Sequence, residues 1–543
     1  MHRRDRSVTA KEVRLRGAVT LLAFAGLALA AEPVRLPAIE KVEIRARAFY
    51  VNGKPFFPLL AWLQDAKNFP LLTTCGMNAT AGYWTGSSGT KDAAEYLALV
   101  DQAGLYGVMP FHEGIQGKPA LLGYIHDDEP DLPHQENDAA IEPAASLRLN
   151  SRTPLWKLLD GDLTSWSVLD PLENGSLTIR LKKPVTIESL AVTVTVSKGL
   201  ALPKEVVFAS RGVEVLKASL ESKAGRQTFP LPKAATIEEL TLNVTAVTPG
   251  EQAWGSLGEI EGFDQDGHNV LLAPPRHVPR AQPAETMKAY QRFKAADATR
   301  PVFMTLTGHF HPFFKKWTDE QRGMYPQYIQ AADVVGYDIY PIYGWNKPEW
   351  LYLVHDATEL LVHLAEQRPV YAWIETSKGG QWTGALENQK EVTGEHIRAE
   401  VWMCICRGAT AIGYFTHVWK PQYSQFGVPA ANQDALRQIN EQITRLTPAI
   451  LGQPSQRVVS IGGGGVKLDV LAREHGGELY LFAVNYDEAL KPAHAMIHVE
   501  GLRAGARVTV VDEERTLEAK DGSFSDAFAP LAVHIYKVGR QAD

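Results

Sequence analysis

Two glutamates end apolar, β-rich runs in this chain. Glu129 closes Leu122-Gly123-Tyr124-Ile125-His126-Asp127-Asp128-Glu129, just before Pro130, and Glu375 closes Pro369-Val370-Tyr371-Ala372-Trp373-Ile374-Glu375. Such runs, cut off by a turn signal, read as buried parallel strands. Two carboxyls on one rim of a barrel can cleave a glycosidic bond. One protonates the leaving oxygen, and the other attacks or stabilises the sugar cation. The neighbours Asp127, Asp128 and Asp131 disfavour ionisation of Glu129 wherever they cluster in space, which suits a general acid. Pro130 removes a ladder donor and ends the strand. The plainer alternative for Glu129 is a solvated acidic loop. Glu375 follows an almost wholly apolar strand and precedes Thr376, Ser377 and Lys378. A carboxylate there is costly unless paired or used. Hydroxyls or Lys378 could hold it ionised as a nucleophile, and a buried salt bridge is the plainer alternative.

Other residues point toward sugar binding. Tyr83 and Trp84 follow the second candidate strand, Trp345 the sixth, Trp382 the seventh and Trp419 the eighth. Indole faces are flat apolar platforms with a polar edge, suited to the C–H faces of sugar rings. Tyr340 and Tyr343, after strand six, offer hydroxyls. Glu113, after strand three, is a competing carboxylate best read as a substrate contact. His309-Phe310-His311 follows strand five. With Asp127 or Asp338 that pair could hold a divalent metal at a barrel mouth, which would make a metal-dependent hydrolase. Substrate contact by His309 is the simpler expectation.

The elements that must position these residues alternate. Strands are expected over Phe57–Leu63, Met77–Tyr83, Gly107–His112, Leu122–Asp127, Val302–Thr307, Asp333–Tyr340, Pro369–Thr376 and Ala411–His417. Amphipathic stretches fall between most of them, at Ala93–Ala103, Ala284–Ala295, Asp319–Gln330, Leu351–Gln367, Glu395–Arg407 and Asn432–Leu446. Eight strands with intervening helices predict an α/β fold, a (β/α)8 TIM barrel. Only Gly114 to Ala120 joins strands three and four, too short for a full helix. A strand pair over Val42 to Phe49, turned at Asn52-Gly53, precedes the barrel. Between strand four and its helix the pattern switches to period two, as in Ser176–Leu181, Leu190–Val196 and Leu240–Val244, which predicts an inserted β-sandwich. The end of the chain alternates in the same way. The expected units are a signal peptide over 1–30, the first half of the barrel over 31–135, the insert over 136–270, the second half over 271–455 and a C-terminal all-β domain over 456–543.

The chain has 543 residues, is 45% apolar and carries a net charge of −7. It lacks a long basic run, which argues against nucleic acid as a partner. A basic segment up to Arg16 precedes the apolar run Ala18 to Ala30, and Ala28-Leu29-Ala30 fits a small-x-small cleavage site. This predicts a secreted or periplasmic protein with no membrane span after signal removal, or, if uncleaved, an anchored one. Three cysteines give neither a disulfide framework nor a zinc site. Gly462 to Gly465 is a flexible turn, since no Lys-Ser/Thr pair follows it.

Val51-Asn52-Gly53-Lys54-Pro55-Phe56-Phe57-Pro58 resembles the entry to the first barrel strand in the large retaining glycoside hydrolase clan that includes β-galactosidases, β-mannanases and cellulases. The resemblance covers roughly residues 50–130 and 280–450. It implies an acid/base glutamate at the end of strand four, here Glu129, and a nucleophile glutamate at the end of strand seven, here Glu375. It also implies a strand-six hydrogen bond to the nucleophile, from Tyr340 or Tyr343, and a strand-eight tryptophan beneath the sugar, here Trp419. The clan usually has Asn before its acid/base glutamate. Asp128 stands there in this chain, so the sugar 2-hydroxyl contact differs. Leu159-Asp160-Gly161-Asp162-Leu163-Thr164-Ser165-Trp166 and Gly258–Phe263 are similar to a discoidin, or coagulation-factor type C, module; such modules often bind carbohydrate, and many are only structural. The combined expectation is a retaining glycosidase with a carbohydrate substrate and no required cofactor. A non-catalytic carbohydrate-binding protein on the same barrel is the alternative from another class.

Overall fold

The computed structural model describes residues 35–539. The expected signal peptide therefore lies outside the described residues. Eight parallel strands close a barrel. In chain order they are Leu59–Trp62, Ala79–Ala81, Tyr106–Met109, Leu121–Ile125, Val302–Thr307, Val334–Asp338, Val370–Glu375 and Ala411–Phe415. Each is shorter than the apolar run that marks it, except the fifth, because the run continues into the rim loop.

The barrel interior is packed with side chains. Tyr371 and Trp373 project inward from strand seven and use space left by glycines on the flanking strands. A Cβ on Gly336 would lie 2.2 Å from the Tyr371 ring, and one on Gly413 would lie 2.2 Å from the Trp373 ring. The polar atoms of both rings meet Thr305. The Tyr371 and Thr305 hydroxyls are 2.8 Å apart, and Trp373 Nε1 donates to Thr305 Oγ1 at 3.1 Å. Buried polar groups without such partners would each cost about 1–3 kcal/mol. The amino-terminal end of the barrel is closed by three strands, Val42–Arg45, Ala48–Val51 and Lys54–Phe56. The sequence suggests a single pair there. A second tight turn at Ala46-Arg47, both at positive φ, makes the third strand.

Helices Ala93–Gln102, Pro283–Ala296, Tyr352–Ala365, Gly394–Cys406 and Ala430–Ile450 cover the barrel as their periodicity predicts. No helix joins strands three and four. A short helix not expected from the sequence, Phe69–Thr74, begins with proline in its first turn. The stretch Asp319–Gln330 forms two helices, Asp319–Arg322 and Tyr325–Gln330, divided at Gly323. Pro326 lies in the first turn of the second, where it lacks no needed donor.

After strand four the chain leaves through an antiparallel ribbon, Pro133–Glu136 paired with Arg276–Pro279. Beyond it lies a separate apolar core around Leu190, Val206, Phe208, Leu240 and Ile260, held between a six-stranded and a three-stranded sheet. Ser176–Leu181 and Leu190–Val196, expected as two strands, belong to one nineteen-residue strand, Ser176–Val194. Register shifts between Arg180 and Val185, and between Ile187 and Ser189, let it bend. The C-terminal region forms a second pair of sheets. It docks on the helix layer through Phe482, stacked 5.5 Å from Trp402, and through Asp469, which accepts from Arg407 Nε at 2.6 Å and lies 3.2 Å from His355 Nε2. The three cysteines are buried and free. Among the described residues no helix is long and apolar enough to cross a membrane.

Candidate active site

A cavity of about 550 Å³ opens at the carboxyl-end rim of the barrel. Trp62, Tyr340, Tyr343, Phe415, Trp419 and Tyr423 wall it, and Asp128, Glu129 and Asp338 supply its acidic side. This volume falls within the range of small-ligand sites. The aromatic wall is continuous. Trp419 lies parallel to Phe415 at 6.1 Å, Phe415 is 4.9 Å from Tyr340, and Trp62 meets the core ring Trp373 edge-on at 5.2 Å.

The acidic side is built on a strained turn. Glu129 has φ +50, in the left-handed region. A non-glycine residue there costs about 1–2 kcal/mol and persists where its surroundings demand it. Its carbonyl accepts from Leu132 N–H at 3.0 Å. Its side chain is 20% exposed, and Arg280 Nη2 lies 3.7 Å from its carboxylate. Arg280 Nη1 also donates to the Asp128 carbonyl at 2.5 Å. Asp338 and Glu129 are neighbouring carboxyls on the acidic side of the cavity. Burial, then the charges of Glu129 and Asp128, push Asp338 well above the usual carboxylate range. Burial first, and Glu129 second, push Asp128 up to about 7. Asp131 lies behind them, fully buried. It accepts from Thr307 N–H at 2.8 Å, Thr307 O–H at 2.5 Å and Tyr325 O–H at 2.8 Å, and burial still raises it to about 6.

Glu375 stands elsewhere. Its side chain is fully buried and absent from the cavity wall. Tyr340 and Tyr343, from the loop after strand six, meet Phe415 at the end of strand eight. These rings come from the two strands flanking Glu375, and Phe415 is its register neighbour. The expected nucleophile is therefore not presented to the cavity. Its expected holders are also otherwise engaged. Lys378 pairs with Glu391, Thr376 O–H donates to the Phe415 carbonyl, and Ser377 Oγ has no partner. The Tyr343 hydroxyl likewise meets no partner, and the strand-six hydrogen bond to Glu375 comes instead from the Tyr343 backbone N–H at 2.6 Å.

The remaining expected residues divide. Asp128, Tyr340, Tyr343, His309, Trp345, Trp382 and Trp419 reach the cavity, Trp382 as an 86% exposed rim residue. Glu113 is exposed and off the wall. Trp84 stacks behind Tyr423 at 6.4 Å and supports the wall without lining it. His309 and His311 diverge. His309 faces the cavity, while His311 opens onto a different cleft beside Asp356 and Arg407. Burial lowers His309 to about 4, so it is neutral, and its Nδ1 has no partner. The alternative His309–His311 metal cluster is thus not assembled. The one group of three close metal-ligating side chains among the described residues is Asp264, Asp266 and His268, in the insert.

Sequence reasoning named Asp338 only as a metal partner and missed Trp62, Leu63, His417 and Tyr423. Asp338 carries the same signal as the glutamates, a carboxyl at the end of an apolar strand run. His417 orders the rim by lying 3.1 and 3.0 Å, through Nε2, from the carbonyls of Trp62 and Leu63. That contact joins strands eight and one and leaves no one-dimensional trace.

No protein-family model matches the chain, and no curated protein matches it. Solved structures do. A family 32 carbohydrate-binding module of C. perfringens NanJ, in complex with galactose, is 14% identical with a TM-score of 0.20 over 24% of this chain and 98% of that one. An Anoxybacillus alpha-amylase is 12% identical with a TM-score of 0.34 over 49% of this chain and 57% of that one. The alpha-amylase of Geobacillus thermoleovorans, complexed with acarbose, is 11% identical with a TM-score of 0.34 over 48% of this chain and 58% of that one. The chain thus spans little more than half the length of the amylases it matches.

Proposed function

We propose that this chain is a secreted or periplasmic glycoside hydrolase whose reaction runs on the carboxyl pair Glu129 and Asp338. The observation that carries the reading is the placing of both carboxyls on the wall of an aromatic-lined cavity of about 550 Å³. Glu129, on the open side, is the proposed general acid and hands a proton to the leaving oxygen. Asp338 acts in its ionised form, deeper in the cavity. Its oxygen bonds to the anomeric carbon as the bond to the leaving group breaks, and a water activated by Glu129 later releases the sugar. Retention is the expected stereochemistry. In this reading Asp338 attacks the anomeric carbon itself, which gives a covalent intermediate and net retention. Trp419 and Trp62 offer faces for the sugar ring. The inserted sandwich, tethered beside the rim by its ribbon, is proposed to bind carbohydrate.

The test is a panel of aryl glycosides and polysaccharides with purified protein, followed by NMR assignment of the first anomer formed. The expected result is turnover of at least one sugar class with retention, lost in Asp338→Asn. Sugar binding by calorimetry without turnover of any substrate would replace this reading with a non-catalytic carbohydrate-binding protein.

A further inference from the structure

We propose that Glu375, together with Glu400, is a positioning device that fixes the strand-six wall of the cavity, and is not a nucleophile. This rests on the glycosidase reading for its kinetic consequences, but its structural basis is independent of that reading.

The Glu375 carboxylate accepts from Ile342 N–H at 2.9 and 3.1 Å and from Tyr343 N–H at 2.6 Å. Those two amides belong to the loop that carries Tyr340, Tyr343, Gly344 and Trp345, all on the cavity wall. A carboxylate gripping two successive backbone amides holds a loop as a helix cap holds its first turn. The same loop is gripped from its other side, where Thr383 O–H donates to the Tyr343 carbonyl. The Thr383 loop is tied in turn through Gln389, which accepts from Gly379 and Gly380 N–H at 2.8 and 3.0 Å. Strand seven and its loop therefore act as a bracket for the wall contributed by strand six.

Glu400 explains why the bracket is stable. It projects from the helix Gly394–Cys406, is fully buried, and neither of its oxygens meets a protein donor. Its neighbour is the Glu375 carboxyl. Two buried carboxylates side by side would each lose their hydration and repel one another. A proton on Glu400 removes both costs by donating to Glu375, which stays free to accept the amides. Burial and the charge of Glu375 both hold that proton, moving Glu400 well above the usual carboxylate range. A nucleophile needs an open approach to the anomeric carbon and an unengaged oxygen, and Glu375 has neither.

The test combines hydrogen–deuterium exchange of the segment 340–346 with kinetics on the best substrate from the glycoside panel. Glu400→Gln keeps a donor toward Glu375 and should leave both exchange and kcat near wild type. Glu375→Gln keeps one acceptor and should raise exchange at 342–343 while lowering kcat/KM about tenfold, mainly through KM. Glu375→Ala should free the amides, raise KM further, and give no glycosyl azide when azide is added. The proposal is overturned if Glu375→Gln loses kcat by a thousandfold or more at unchanged KM, with azide restoring turnover of Glu375→Ala as the inverted product. It is also overturned if exchange at 342–343 is unchanged in Glu375→Ala. Should no glycoside be turned over, the exchange result alone decides the bracket, so failure of the glycosidase reading and failure of this proposal are separately visible.

Discussion

Glu129 and Glu375 both end apolar barrel strands, and the chain treats them oppositely. Glu129 sits on a left-handed turn, one-fifth exposed, with Arg280 near its carboxylate and Asp338 beside it on the cavity wall. Glu375 is fully buried, its carboxylate committed to the Ile342 and Tyr343 amides beside Glu400. The strands do not make this difference. The loops after them do. After strand four the backbone turns out through Asp-Asp-Glu-Pro into the ribbon of the insert, which keeps the carboxyl at the rim. After strand six, Tyr-Pro-Ile-Tyr folds across the end of strand seven. A strand-end carboxyl is thus a candidate for chemistry only after the neighbouring loop has been placed.

The largest expected effect sharpens that contrast directly. Glu129→Gln should lower kcat/KM by about 10³-fold on substrates with poor leaving groups, within the range for loss of a general acid. The loss should shrink for aryl glycosides with good leaving groups. Steady-state kinetics across a leaving-group series checks this, and equal losses at Glu129 and Glu375 with the same leaving-group dependence would erase the contrast. Next in size, Glu129→Gln should also move the acidic limb of Asp338-dependent activity to lower pH, because the Glu129 charge helps hold the Asp338 proton. A pH–rate profile measured on the residual activity reads this, and an unmoved limb would mean that the two carboxyls titrate independently.

A smaller effect concerns stability. Burial holds Glu375 up near 7 in the folded chain against an ordinary value of 4.5. The folded state then binds more protons than the unfolded state across that window, so this group's contribution to stability falls as pH rises from about 4.5 to about 7. Several buried histidines titrate with the opposite sign in the same range, His309 among them. The clean measurement is therefore the difference in Tm between wild type and Glu375→Gln. The variant should gain on wild type as pH rises from 5 to 8, and a constant difference would show that Glu375 is ionised throughout. The smallest effect is expected at the wall. Trp419→Ala should raise KM about fivefold to tenfold, the loss of an aromatic platform of about 1 kcal/mol. Trp382→Ala, at an 86% exposed residue, should matter only for long substrates.

Much of the architecture was legible without coordinates. Period-two and period-3.6 patterns are local, so all eight barrel strands, most helices and the all-β character of both added regions could be read from the chain. Loop-scale features were less legible. The Ala46-Arg47 turn carries none of the usual glycine or asparagine, and the break at Gly323 sits inside an otherwise amphipathic stretch. The sequence alone determined that carboxyls would stand at the carboxyl ends of strands four, six and seven, because strand length and parity are properties of a few adjacent residues. Which of them reach a substrate was decided only by the tertiary structure. Solvation, charge coupling and amide donation depend on groups from strands far apart in the chain, such as Asp338 against Glu129 and Ile342 against Glu375, and no local pattern encodes those distances.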